Sequence, residues 1–200
     1  MISVYKLKPK FQQLLTPVLL FLHKNHITAN QITVSSILLS AVIGVLFWNA
    51  DESRWFFLSL PIGLLLRMAL NALDGMMARK FNQTSKLGEV LNEVGDIVSD
   101  VIIFFPLLKF QPESLYLIII FIVLSIINEF AGLIGKAIGK ERRYDGPMGK
   151  SDRALILGVY GLTVFFGADI SGISKYIFGL LIILLIISTY IRLKKSLHEA

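Results

Sequence analysis

Apolar positions run along the chain in six long blocks, Gln31 to Asn49, Phe56 to Ala78, Leu87 to Leu108, Leu115 to Gly135, Arg153 to Gly167 and Tyr176 to Arg192. A bilayer-spanning helix needs about 20 such residues. The pattern therefore predicts an all-α polytopic membrane bundle of six transmembrane helices, forming one integral-membrane domain over residues 1–200. Short polar turns at Asp51 to Arg54, Gln111 to Ser114 and Ala168 to Lys175 fall on one side. The N-terminal segment, the Arg79 to Lys86 loop, the Lys136 to Asp152 loop and the C-terminal tail fall on the other. Ahead of the first block, Lys6, Lys8, Lys10 and Lys24 flank an apolar run from Leu14 to Leu22, interrupted by Pro17 and followed by no small-residue cleavage site. That stretch predicts an N-terminal amphipathic helix lying in the membrane interface, not a signal peptide.

Composition agrees with a bilayer environment: 54% of residues are hydrophobic, 17% are charged and the mean hydropathy is +0.69. Soluble domains carry about 25% charged residues. The chain has no cysteine, which excludes a disulfide framework, a thiolate metal site and a cysteine nucleophile. The net charge of +6 reads as loop charge and affinity for anionic lipid, so no nucleic-acid partner is expected. Sixteen lysines and arginines lie on the side of the long loops and three on the side of the short turns. By the positive-inside rule both termini are cytoplasmic. No internal repeat or flexible linker divides the chain.

The informative residues are acidic ones within apolar blocks: Asp74, Glu89, Glu93, Asp96, Asp100 and Glu129. A charge at the centre of a membrane helix costs about 2.5–3.5 kcal/mol, so these side chains need partners, water or metal. At helical spacing Glu89, Asn92, Glu93, Asp96 and Asp100 share an arc of about 100° on the third span. Asn71 and Asp74 lie three residues apart near the end of the second span. An antiparallel pairing of these two spans sets Asn71 and Asp74 opposite Asn92 and Asp96. Clustered anionic oxygen ligands of that kind suit a hard divalent cation such as Mg²⁺, the competing reading being hydrogen bonds and ion pairs that only hold the bundle. Gly75 and Ala78, with Gly88 and Gly95 on the facing helix, leave backbone open to a phosphate or planar group. Gly132, Gly135 and Gly139 read as close helix packing.

The residues Asn71, Asp74, Gly75, Ala78, Arg79, Gly88, Asn92 and Asp96 resemble the signature D-x2-D-G-x2-A-R-x8-G-x3-D-x3-D of the CDP-alcohol phosphotransferase family. Every spacing matches over 26 residues, and six of the eight specified positions are identical; Asn71 and Asn92 stand where the pattern has aspartate. The chain looks most like a bacterial branch similar to phosphatidylglycerophosphate synthases, which implies a multi-pass protein of the bacterial inner membrane with a cytoplasmic active site.

The resemblance implies attack by an acceptor hydroxyl on the phosphorus of a CDP-alcohol, with CMP leaving. CDP-diacylglycerol is the expected donor and a small alcohol, free or phosphorylated, the expected acceptor. It implies Mg²⁺ or Mn²⁺ held by Asn71, Asp74, Asn92 and Asp96, with Asp96 also as catalytic base. Gly75, Ala78, Arg79 and Gly88 correspond to substrate-binding positions. Two asparagines leave the site short of negative charge; Asp100, one turn deeper than Asp96, and Glu89, about two turns shallower, are both candidates to supply it, and Asp100 is expected as the further metal ligand. Arg142, Arg143, Lys150 and Arg153 offer a pocket for an anionic acceptor, or simply cytoplasmic loop charge. Arg67 and Glu129 are expected to form a buried ion pair. Assembly as a homodimer is compatible with the resemblance. The asparagines keep open a second class, a catalytically impaired member that binds CDP-lipid or scaffolds membrane enzymes; a small transporter, lacking a repeat, is a third.

Overall fold

In the computed structural model, which describes residues 8–139 and 141–198, each of the six blocks becomes a helix. Lys6 and Lys140, counted above among the basic residues, lie outside the described residues. Helix α1 is Lys8–Lys24, α2 Ala29–Trp48, α3 Ser59–Lys80, α4 Lys86–Phe104, α5 the single turn Leu107–Phe110, α6 Leu115–Ile138, α7 Lys150–Phe165 and α8 Ser171–His198. Local chemistry starts and stops them. Thr28 and Gln31 form a reciprocal capping box at α2, with the Thr28 amide donating to Gln31 Oε1 at 2.8 Å. Ser85 Oγ accepts from the Gly88 amide at 3.0 Å to open α4. Helix α3 runs out at Asn82, whose φ of 53° is the left-handed conformation that asparagine tolerates after a helix.

Among the described residues, four stretches are long and apolar enough to cross a membrane: Ala29–Trp48, Arg54–Lys80, Pro112–Ile138 and Ser171–His198. The other two expected spans depart for different reasons. Helix α4 carries Lys86, Glu89, Glu93, Asp96 and Asp100 within its 19 residues, and α7 has only 16. At 1.5 Å per residue the latter reaches about 24 Å against a hydrocarbon core of about 30 Å. The chain is a multi-pass membrane protein, and outward-facing side chains such as Leu38, Val42, Leu65 and Ile183 are exposed to contact acyl chains.

The antiparallel pairing of α3 with α4 is not what forms. Helix α2 packs against both, and α3 and α4 share no extensive interface of their own. A Cβ on Gly95 would stand 2.5 Å from Ile37 Cδ1, and one on Gly44 2.6 Å from Ile102 Cγ2. Gly95 thus admits α2 and does not open backbone to a substrate. Elsewhere α6 packs on α8, and α7 on α3. The core is apolar at the end bearing the Asp51 turn, where Phe47 stacks on Phe110 at 5.3 Å and meets Phe57 and Tyr160 edge-on. There Lys109 Nζ donates to the Trp48 carbonyl at 2.8 Å and to Asp51 Oδ1 at 2.6 Å. At the opposite end α1 buries Leu15 and Leu19 against Ile32, Leu73 and Met77. Its Leu14 and Phe21 stay 73% and 65% exposed.

Candidate active site

Helices α3 and α4, each packed on α2, wall a cavity of about 320 Å³. Asn71, Asp74, Gly75, Ala78 and Arg79 line it from α3, and Gly88, Glu89 and Asn92 from α4. Thr33 of α2 and Tyr144 of the α6–α7 loop complete the wall used below. The α3–α4 loop is tied to the start of α2 by Gln83, whose Oε1 accepts from the Ala29 amide at 2.8 Å. Seven of the eight signature positions therefore border one space.

Asp74 is only 5% exposed and accepts a hydrogen bond from Thr33 Oγ1 at 3.0 Å. Ser36 Oγ donates to Asn71 Oδ1 at 2.8 Å, while Asn71 Nδ2 is buried without a partner. Thr33 and Ser36 were missed as site residues in the sequence. The legible signal was the polar stripe Thr33, Ser36 and Ser40 at helical spacing on an otherwise apolar helix. The Arg79 guanidinium lies over Gly75, where a Cβ would stand 3.2 Å from Nη1. At Gly88 a Cβ would stand 2.5 Å from Asn30 Oδ1, so that position admits a neighbouring side chain.

The eighth position, Asp96, is not among the residues that line the cavity. Its carboxylate receives a hydrogen bond from Lys150, its backbone carbonyl accepts from Arg67 Nη2 at 3.3 Å, and its Oδ1 is 4.0 Å from the same nitrogen. Asp100, expected as an extra metal ligand, is instead held on both oxygens: Arg67 Nη1 donates to Oδ1 and Arg153 Nη2 to Oδ2, each at 2.7 Å. It does not line the cavity. Arg67 consequently pairs with Asp100, not with Glu129, and the two expected partners are linked only through Asp100 and Arg153.

Glu129 gathers two of the four basic residues that the sequence offered to an anionic acceptor, Arg142 and Arg153. Arg142 Nη2 donates to its Oε2 at 2.7 Å and Arg153 Nη2 to its Oε1 at 2.8 Å, with Arg192 Nη1 3.9 Å away. Arg142 also stands 3.0 Å from Glu93, and Arg143 4.0 Å from Asp145. Burial works against the Arg142 charge, but Tyr144, Glu129, Glu93 and Asp96 outweigh it and raise its proton affinity. The loop bearing these groups lies close on α6, where a Cβ on Gly132 would stand 2.7 Å from the Arg143 carbonyl oxygen. Arg153, Arg143 and Lys150 do not line the cavity, and Lys150 hydrogen-bonds to Asp96.

The donors at the four ligand positions are all oxygen, two carboxylates and two amides, which fits a hard divalent cation. The unsatisfied end of Asn71 fits too. Exchanging its O and N leaves the nitrogen to donate to Ser36 Oγ and presents the oxygen where the orphan now sits. Among the described residues no three histidine, aspartate or glutamate side chains converge to hold a metal, because positions 71 and 92 carry amides and Asp96 is paired with Lys150.

A polar, oxygen-rich cleft built on membrane helices is the arrangement of an integral-membrane enzyme. Residues 26–191 match the CDP-alcohol phosphatidyltransferase family, and the chain belongs to it. It is 47% identical over 162 residues to the inner membrane protein YnbA of Escherichia coli (strain K12), covering 81% of this chain and 80% of YnbA. Its fold is similar to the phosphatidylinositol phosphate synthase PgsA1 of Mycobacterium tuberculosis with CDP-DAG bound, at a TM-score of 0.75 and 21% identity over 92% of this chain and 94% of that one. The same synthase in complex with manganese and citrate gives a TM-score of 0.74 at 21% identity over 90% and 88% of the two chains. The protein is therefore a membrane transferase of phospholipid biosynthesis.

Proposed function

We propose that this enzyme transfers the phosphatidyl group of CDP-diacylglycerol to the hydroxyl of a small alcohol and releases CMP. The observation that carries the reading is the convergence of Asn71, Asp74, Gly75, Ala78, Arg79, Gly88 and Asn92 on one cavity. The CDP-DAG and manganese complexes of PgsA1 support it. Asn71, Asp74, Asn92 and Asp96 hold Mg²⁺ or Mn²⁺, which supplies positive charge for the pyrophosphate and the leaving CMP. Gly75 and Ala78 keep the wall low beside the nucleotide, Gly88 binds it from α4 while making room for Asn30, and Arg79 faces its phosphates. Asp96 takes the acceptor proton as the new P–O bond forms and the bond to CMP breaks. Thr33 and Ser36 orient Asp74 and Asn71 from α2.

All six long helices α2, α3, α4, α6, α7 and α8 cross the bilayer in this reading, α1 lies in the interface and both termini are cytoplasmic in a bacterial inner membrane. Support comes from the loop charge, from the inward burial of the α4 charges in ion pairs and from the inner-membrane relative. The amides at positions 71 and 92 favour a second reading, CDP-lipid binding without turnover. One assay separates the two: purified protein with CDP-diacylglycerol, Mg²⁺ or Mn²⁺ and a panel of alcohols releases CMP and forms a new phospholipid if it is a transferase, and releases none if it only binds.

A further inference from the structure

Three arginines from three places in the chain meet at one carboxylate. Glu129, 6% exposed, receives Arg142 at 2.7 Å on one oxygen and Arg153 at 2.8 Å on the other, with Arg192 at 3.9 Å. Planar guanidinium groups fanned about an oxyanion form the geometry in which proteins bind phosphate, but here the anion belongs to the chain. Further donors of the cluster are engaged too, Arg153 with Asp100 and the Met148 carbonyl and Arg192 with the Asn128 and Asp145 carbonyls, while the Nε atoms of Arg142 and Arg153 are buried without a partner. Arg142 reaches Glu93, which lies one helical turn from Asp96. The cluster therefore abuts the carboxylate that receives the acceptor proton.

We infer that Glu129 is a built-in anion filling the centre of this arginine cluster, so that the acceptor is an uncharged polyhydric alcohol and not a phosphorylated one. The inference rests on the transfer reading above. A phosphomonoester entering beside Asp96 meets Glu93 and Glu129 as like charges, and the two arginines paired with those carboxylates, Arg142 and Arg153, are already committed to them. Separating a buried pair to free an arginine leaves an uncompensated charge. A neutral polyol asks only for hydrogen bonds and leaves the pairs intact.

The test uses the full-length protein in two assays. In the first, CMP release and lipid product are followed with CDP-diacylglycerol, Mg²⁺ and either glycerol or glycerol 3-phosphate. In the second, binding of inorganic phosphate is titrated calorimetrically to the parent protein and to Glu129→Gln. The expected results are a kcat/KM for glycerol at least about tenfold above that for glycerol 3-phosphate, and phosphate binding at least about tenfold tighter in Glu129→Gln than in the parent. Preference of the parent for the phosphorylated alcohol, or equal phosphate binding by both proteins, overturns the inference. If Glu129→Gln does not fold, the parent decides alone: saturable sub-millimolar phosphate binding that competes with acceptor overturns it, and insensitivity to phosphate upholds it. Absence of CMP release with every acceptor counts against the transfer reading, while the phosphate titration still judges the role of Glu129.

Discussion

Asp96 and Asp100 stand one helical turn apart on α4 and face different chemistry. Asp96 takes one side-chain hydrogen bond on its carboxylate, from Lys150, with Arg67 Nη2 4.0 Å from its Oδ1, whereas Asp100 is gripped on both oxygens by Arg67 and Arg153 at 2.7 Å each. A lysine at the end of a flexible stem yields its carboxylate to an incoming cation more readily than two buried guanidinium groups do. The neighbours thus divide the work: in the proposed mechanism Asp96 reacts, while Asp100 holds the helices together.

Replacing Asp96 by Asn is expected to lower CMP release at least about a hundredfold, since an amide neither accepts the proton nor brings charge to a cation. Asp74→Asn should do nearly as much. The check is CMP formation alongside size-exclusion profiles that establish folding. Activity near that of the parent in either variant would remove Asp96 or Asp74 from the proposed mechanism.

Asp100→Asn acts on stability. It strips the shared anion from between Arg67 and Arg153, and breaking a buried pair costs about 3–5 kcal/mol. Thermal unfolding in detergent should shift down markedly, with the Mg²⁺ dependence of the surviving protein unchanged. A raised Mg²⁺ requirement with unaltered unfolding would return Asp100 to the metal site.

Asn92→Asp restores a charge at the cavity wall where the family pattern has one. Ligand charge tunes the affinity of hard-cation sites. The half-saturating Mg²⁺ or Mn²⁺ concentration should fall about tenfold in a CMP-release titration. An unchanged or higher value would separate position 92 from cation binding.

Topology is testable in this cysteine-free chain. Single cysteines at the exposed positions Lys86 and His198 should react with a membrane-impermeant maleimide only from the cytoplasmic side, and those at Glu52 and Ser171 only from outside. Labelling of Lys86→Cys from outside would invert the bundle and with it the side on which CMP emerges.

The cleft was legible in the sequence because helical periodicity reports faces. It puts Glu89, Asn92, Glu93 and Asp96 on one side of α4, and fixed spacing joins them to Asn71 and Asp74. Periodicity carries no information about which helix stands opposite. The choice of Asp100 over Glu129 as the partner of Arg67, and of Glu129 as the hub for three arginines, depends on where α2 wedges and how the α6–α7 loop crosses. Those placements follow from contacts at Gly44, Gly95 and Gly132 that look, residue by residue, like any small side chain in a membrane helix.

Helix α2 contributes no charged side chain, yet it stands between the two walls that do. Its glycine contacts, with Ile37 meeting Gly95 and Ile102 meeting Gly44 on the α4 side and Ile43 meeting Gly63 on the α3 side, act as a shim whose thickness sets how far apart the α3 and α4 ligands are held. The aperture of the cleft is in this sense inherited from side chains that touch no reacting group. Evolution or an engineer can widen or narrow it by a methyl group at those contacts, retuning which headgroup is admitted while every reactive residue stays in place.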